Sequence, residues 1–345
     1  MPPMPEFARV PVLVVGAGVS GLSCARALAV AGRSPPVLDR ARGVGGRCAT
    51  RRVEDHPMDF GVTFLHGRDP EFLAALRAVD ATVLPGWPTQ VRGTGRPCQP
   101  AALSPAETRT AWAEGVAAFP KHLSRDLELW LGANAARLEA RPAAVAVRLD
   151  NGAALEAGTV VLAMAAEQLD GLLATLEGEP ELAAARAVLG LSRSEPCLTL
   201  LALYPKDVPV PAWQLCLPED SKVLQLASNE SSKRRMPGPA IVYQAQAAWS
   251  RAHADDRGWA RALLEEAARI LGPWAAAPRV ADAHRWDFAR NGLAAELAGP
   301  MLLPLRGGGR VGLCGDRFGR GGGVEGAWLS GRALARRILE TSEAR

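Results

Sequence analysis

Long apolar runs are missing from this chain. No stretch approaches the ~20 residues that a membrane-crossing helix needs. The opening Met1-Pro-Pro-Met-Pro-Glu has neither the basic start nor the apolar core of a secretion signal. A membrane protein is therefore not expected, and the expected compartment is the cytoplasm. Cysteine is sparse: six are spread over 345 residues without a Cys-x-x-Cys pair. That distribution predicts reduced core or near-surface thiols and a reducing compartment. The five histidines, His56, His66, His122, His253 and His284, show no ligand spacing, so no metal site is expected. No Ser/His/Asp grouping stands out. Charge of one sign is also lacking, since the net charge is only +4. Nucleic acid is not implied by so small a surplus. The densest basic cluster, Lys233-Arg234-Arg235, reads as a solvated loop, the alternative being a polyanion patch.

What is present is an ordinary globular composition, 48% hydrophobic and 22% charged, enough to bury a sizeable core. The length exceeds one average domain and predicts two, sharing interwoven segments. Val10 to Val15 reads as a buried strand, Leu22 to Ala31 as a helix, and Pro36 to Asp39 as a second strand. Further along, Pro70 to Val79 and Lys121 to Gly132 read as helices, with irregular chain from Leu84 to Pro105 between them. Val145 to Leu149, the Asp150-Asn151-Gly152 turn and the apolar stretch after it give a hairpin signal, leading to a strand from Gly158. Leu198 to Leu203 and Ala240 to Gln244 read as strands of a second sheet. Trp259 to Leu271 and Gly326 to Glu340 read as helices. Trp249 and Trp259 are expected to be core residues of the second domain.

Gly16-Ala17-Gly18-Val19-Ser20-Gly21 lies between the first strand and its helix. Glycines in that order permit a tight turn, let backbone approach a diphosphate, and pack the helix on the sheet. The helix start offers free N–H groups and the positive end of its dipole to that anion. Asp39, ending the second strand beside Arg40, is placed to accept from a ribose hydroxyl. A plain strand-end turn is the bland alternative. A second glycine cluster, Gly43-Val-Gly45-Gly46-Arg47, follows at once and suggests further phosphate contacts, with Arg47 as ion partner; a glycine-rich surface loop is the alternative there.

The βαβ unit followed by Gly45-Gly46-Arg47-Cys48-Ala49-Thr50 resembles the flavoprotein superfamily of amine oxidases, phytoene desaturases and renalases. The resemblance implies FAD as the bound dinucleotide. Near the other end, Val311 to Asp316 reads as a strand closing on Gly315-Asp316, which resembles the flavoprotein element whose aspartate binds the ribityl chain. Gly321-Gly322-Gly323 then leads into a helix whose start, with Gly323, Val324 and Ala327, can face the pyrimidine side of a flavin. A glycine-capped terminal helix is the plain alternative. Asp59-Phe60-Gly61, Asn229-Glu-Ser-Ser-Lys233, Trp249-Ser250-Arg251, His284-Arg285-Trp286 and Val324 to Gly331 resemble bacterial renalase-like proteins in particular. Renalases are FAD oxidases that take electrons from the 2- and 6-dihydro isomers of NAD(P)H and pass them to oxygen. The chain departs from that pattern at Val62-Thr63-Phe64, where those proteins tend to carry Gln and Tyr, and its glycine loop before Val324 is about one residue longer.

A flavin enzyme accepting hydride needs no protein nucleophile or metal. The substrate-side candidates are therefore His284, Arg285, Trp286, Thr63 and His66. Trp286 can stack on a nicotinamide or fill a core, Arg285 can meet an anion or solvent, and His66 can face the flavin or satisfy a loop. Leu138 is expected against the adenine, and Gly61 beside the cofactor. The expected fold is α/β: a two-domain, glutathione-reductase-like FAD domain of Rossmann type with a mixed-sheet substrate domain. Residues 8–68, 121–166 and 293–343 are assigned to the first domain, and 69–120 and 167–292 to the second. The function expected is FAD-dependent oxidation of a dihydronicotinamide by molecular oxygen. The alternatives are an amine oxidase or a desaturase of a biosynthetic intermediate, and a non-catalytic flavin-binding interaction protein. Against an amine oxidase, neither Tyr204 nor Tyr243 lies by the C-terminal flavin element.

Overall fold

A computed structural model describes residues 7–191, 193–292, 297–319 and 321–343. The chain forms two compact units: residues 1–46, 119–194 and 291–345 make the first, and 47–118 with 195–290 the second. These boundaries differ from those expected. Residues 47–68 group with the second unit and 167–194 with the first, and the expected boundary at Leu293 lies outside the described residues.

The first unit is built on β1 (Phe7–Val15), α1 (Val19–Val30) and β2 (Val37–Asp39). β1 runs parallel to β2 on one edge and to the strand Ala154–Leu162 on the other. Leu129–Leu131 extends the sheet beyond β2, and Arg310–Leu313 runs parallel to the second half of Ala154–Leu162. Ala144–Leu149 pairs antiparallel with the first half of that strand, across the turn at Gly152. Strands covered on both faces read as continuous apolar runs. Accordingly Leu13, Leu38, Val145, Val160 and Val311 are wholly buried in one cluster. Each such side chain contributes roughly 1.5–3 kcal/mol of burial.

The helix expected from Lys121 to Gly132 does not form. A short helix, Ala118–Leu123, ends early, Asp126 takes a left-handed conformation at φ 62°, and Leu129–Leu131 becomes a strand beside β2. Pairing there buries Trp130 to 4% exposure, which outweighs the local helical period.

The last helix, Gly323–Glu343, packs closely on α1. Gly331 makes this possible, because a Cβ there would lie 2.1 Å from the Ser20 carbonyl oxygen. The Ser23 hydroxyl donates to the Trp328 carbonyl at 2.7 Å across the same contact.

The second unit carries a mixed six-stranded sheet. Its order is Val280–Asn291, Ser194–Leu203, Ala240–Ala245, Leu224–Asn229, Leu215–Cys216 and Val91–Arg92. The last two run parallel, while Ala240–Ala245 pairs antiparallel with both of its neighbours. Helix Trp259–Leu271 packs Leu263 and Ala267 into a core with Tyr243 and Tyr204, and Trp249 and Trp259 lie partly buried at its margin. A hairpin of Thr50–Val53 with His56–Asp59 belongs to this unit, as does a small sheet of Leu65–Gly67, Thr108–Trp112 and Val83–Pro85. The α/β architecture with a mixed second sheet is the fold class expected. Among the described residues no helix is long and apolar enough to cross a membrane.

Candidate functional site

In the first unit the parallel strands end together, with Val15 opposite Leu162 and Leu162 opposite Leu313. Ligands of open α/β sheets sit at this end. Gly16 (φ 113°) turns the chain there; a Cβ would lie 2.2 Å from the Ala163 carbonyl oxygen. At Gly21 a Cβ would lie 1.9 Å from the Gly16 carbonyl oxygen. Both positions require glycine on packing grounds. Gly18 is different: it precedes α1 with no side-chain cap, and beyond its chain neighbours no atom of the described residues lies within 4 Å of where its Cβ would be. An open cradle before an uncapped helix start fits a diphosphate.

Asp39 frames the same turn. One carboxylate oxygen accepts from the Ala17 N–H at 2.6 Å and the other from the Ala41 N–H at 2.7 Å. Each oxygen keeps a lone pair for a ribose hydroxyl. The second glycine cluster lies against the first, since the Gly45 N–H donates to the Ala17 carbonyl at 2.8 Å and Gly46 (φ 54°) abuts Gly18. Arg40 is exposed beside Asp39, and Ser20 is buried in the first turn of α1.

At the end of Arg310–Leu313, the Gly315 N–H donates to the Ser330 hydroxyl at 3.1 Å, so Ser330 ties the Gly-Asp turn to the last helix. Asp316 opens a short 3-10 turn, Asp316–Phe318. Gly321, Gly322 and Gly323 all have positive φ and lead into the helix, with Val324 and Ala327 half-buried in its first turns. These groups fit an FAD: an open glycine cradle for the diphosphate, a carboxylate for the ribose, and an aspartate with a helix start at the neighbouring strand end. Leu138 does not belong with them. It is wholly buried in the core, and its N–H donates to the Thr175 hydroxyl at 2.8 Å, so it offers a ligand no surface.

The second unit carries a half-open cavity of ≈ 130 Å³. Its wall includes Phe64, Trp286, Leu215, Leu217, Leu226 and Ala102 as apolar surface, and Arg47, Thr63, His66, Gln99, Gln244 and Arg290 as polar groups. Cys98 and Cys197 complete it beside Arg290. Among the described residues no aspartate or glutamate lines it. Trp286 is fixed by its indole N–H donating to the Phe60 carbonyl at 3.1 Å and by stacking on Phe60 at 5.0 Å. Gly61 leaves room for this packing, for a Cβ there would press on the Arg47 carbonyl oxygen at 2.2 Å and on the Trp286 ring at 3.1 Å. The Gln244 side chain holds the Gly61 carbonyl from the neighbouring sheet. His66 sits between Glu107, 3.1 Å from Nδ1, and the Gln99 side chain at Nε2. Burial pushes the Cys98 thiol up, opposed by the charge of Arg290.

Of the substrate-side residues expected, Thr63, His66 and Trp286 lie on the cavity wall. Arg285 does not: side chains alternate along a strand, and this one points outward to Asp287 and Asp255. His284 shares the Trp286 face but lies one step behind, edge-on to Phe60 and 3.1 Å from Arg51. Burial, then the Arg51 charge, pushes its pKa below the usual histidine value. The sequence reading missed Arg290. It follows Trp286 at the even spacing of the same strand, so the period-2 rule itself contained the signal.

The reading of Lys233-Arg234-Arg235 as solvated holds for Arg235, which is exposed, and is corrected for Lys233 and Arg234. The Lys233 side chain is 0% exposed, as are those of Asp59 and Glu230, and it donates to both carboxylates at 2.8 and 2.9 Å. It further donates to the Thr63 carbonyl at 2.6 Å and stands over the Trp87 ring at 4.4 Å. Arg234 lies against the same two carboxylates and donates to the Pro57 carbonyl. Asp59 also accepts from the Thr50 hydroxyl at 2.6 Å and the Val116 N–H at 3.0 Å. A buried ion cluster therefore anchors the segment that carries Gly61 and Thr63 to the cavity.

Residues 14–79 match a family model described as an NAD(P)-binding Rossmann-like domain, and residues 81–339 one described as flavin containing amine oxidoreductase. Among solved structures, wild-type putrescine oxidase bound to putrescine is similar at 14% identity with a TM-score of 0.73, over 97% of this chain and 100% of that one. Cyclohexylamine oxidase from Brevibacterium oxydans IH-35A is similar at 15% identity with a TM-score of 0.72, over 97% of this chain and 99% of that one. At such identities these structures establish the likeness of fold.

Proposed function

The chain belongs to the flavin containing amine oxidoreductases, and from that premise we propose a renalase-like, FAD-dependent oxidase that takes hydride from the 2- or 6-dihydro isomers of NAD(P)H and gives the electrons to O2. FAD-dependent oxidoreduction is the property of the family; the substrate and the acceptor are our reading. Bound FAD supplies the hydride acceptor. In this reading Gly16, Ala17, Gly18, Ser20 and Gly21 hold its diphosphate, with Gly46 and Arg47 beside them. Asp39 and Arg40 meet the ribose and Gly315-Asp316 the ribityl chain. The helix start at Gly323, Val324 and Ala327 favours the negative charge of the reduced ring.

The second unit's cavity takes the substrate in this reading, with Trp286 as a stacking surface for a nicotinamide and with Thr63 and His66 on the wall. One observation carries the proposal: the wall holds Arg290 and, among the described residues, no carboxylate. Such a lining is complementary to an anionic dinucleotide and unfavourable to a protonated amine. Oxidation of a neutral amine, or desaturation of a biosynthetic intermediate, is the second reading, supported by the aromatic walls of Phe64 and Trp286. Turnover in air decides between them. The proposal expects oxygen consumption matched mole for mole by NAD(P)+ when a dihydro isomer is supplied. Oxygen consumption with amines and none with the isomers would reverse the assignment.

A further inference from the structure

Arg290 carries a charge that no carboxylate among the described residues neutralises by direct pairing. Its guanidinium lies on the wall of the second unit's cavity, and its hydrogen bond is to the Cys197 sulfur at 3.6 Å. Among the described residues no carboxylate pairs with it. Glu195 acts on it only at longer range, and Cys98 is its other electrostatic neighbour. Placing an unpaired cation against thiols and apolar side chains is costly. The cost is removed when a ligand brings an anion, because charge-assisted bonds to a guanidinium are short and strong. Its planar fork suits the two oxygens of a carboxylate or a phosphate.

We infer that the cavity binds its substrate through an anionic group, a carboxylate or a phosphate, paired with Arg290, and that Arg290 is the residue that selects anionic substrates over neutral ones. The inference rests on the reading of this cavity as the substrate site. Trp286 and Phe64 add a preference for a planar ring beside the anion.

Calorimetric titration of the FAD-loaded protein tests it with two matched pairs. Nicotinate against nicotinamide differ by a carboxylate; nicotinamide mononucleotide against nicotinamide riboside differ by a phosphate. In at least one pair the anionic member is expected to bind about tenfold or more tightly, and the pair that responds identifies the anion. Arg290→Gln should abolish that gap and Arg290→Lys should keep part of it. Should Arg290→Gln fail to fold, Arg290→Met replaces it. Equal binding within both pairs of the wild type overturns the inference, and so does a gap that survives in the uncharged variant. Failure of the dihydronicotinamide isomers to reduce the flavin, with the anion preference intact, would sink the substrate assignment and leave the anion site standing.

Discussion

The ammonium of Lys233 has lost all contact with water and has two carboxylates, a carbonyl and an indole face in exchange. Removing one partner of a buried ion cluster leaves uncompensated charge, a loss of about 3–5 kcal/mol. Lys233→Met is accordingly expected to shift the urea unfolding curve by that amount and to weaken substrate binding through Thr63. An unchanged midpoint would show the cluster to be dispensable. No composition rule announces such a residue, because the sequence string Lys-Arg-Arg looks solvated and its carboxylate partner Asp59 lies far away in the chain. Arg290 and Arg285 show the opposite case. Their fates follow from strand parity once the strand through Trp286 is recognised, and the charge of Arg285 alone misled the reading.

At the scale of elements, β1, α1 and β2 were legible because strand, glycine turn and helix are consecutive and their signals are local. The strand Leu129–Leu131 was not, since its register comes from β2, ninety-odd residues earlier (Val37 opposite Leu129). The contact between α1 and the last helix is also non-local, yet its small residues stand in the sequence as Ser23 and Gly331. Gly331→Ala would drive a methyl into the Ser20 carbonyl. Overpacking of this kind costs about 1–3 kcal/mol. Thermal unfolding should fall accordingly, with a parallel loss of FAD content, because α1 begins at the glycine cradle. A variant with wild-type melting and full flavin would contradict the close packing described.

At the scale of the whole molecule, the interleaving of two units was foreseeable from the separation of the glycine fingerprint and the Gly-Asp element, at opposite ends of one chain. The points of exchange were not, because residues 47–68 and 167–194 take their unit from contacts with distant strands rather than from any break in composition. FAD as cofactor follows from the family and agrees with the open cradle at Gly18. The choice of substrate rests on the charge of a cavity wall. The most direct measurement is anaerobic: the FAD-loaded protein is mixed with the 2- and 6-dihydro isomers, and separately with ordinary 4-dihydro NADH and NADPH, while the flavin absorbance is followed. Fast bleaching by the isomers alone, with colour returning on admitting air, is the result predicted; a flavin that stays oxidised with the isomers, or bleaches equally with ordinary NADH, would contradict the account.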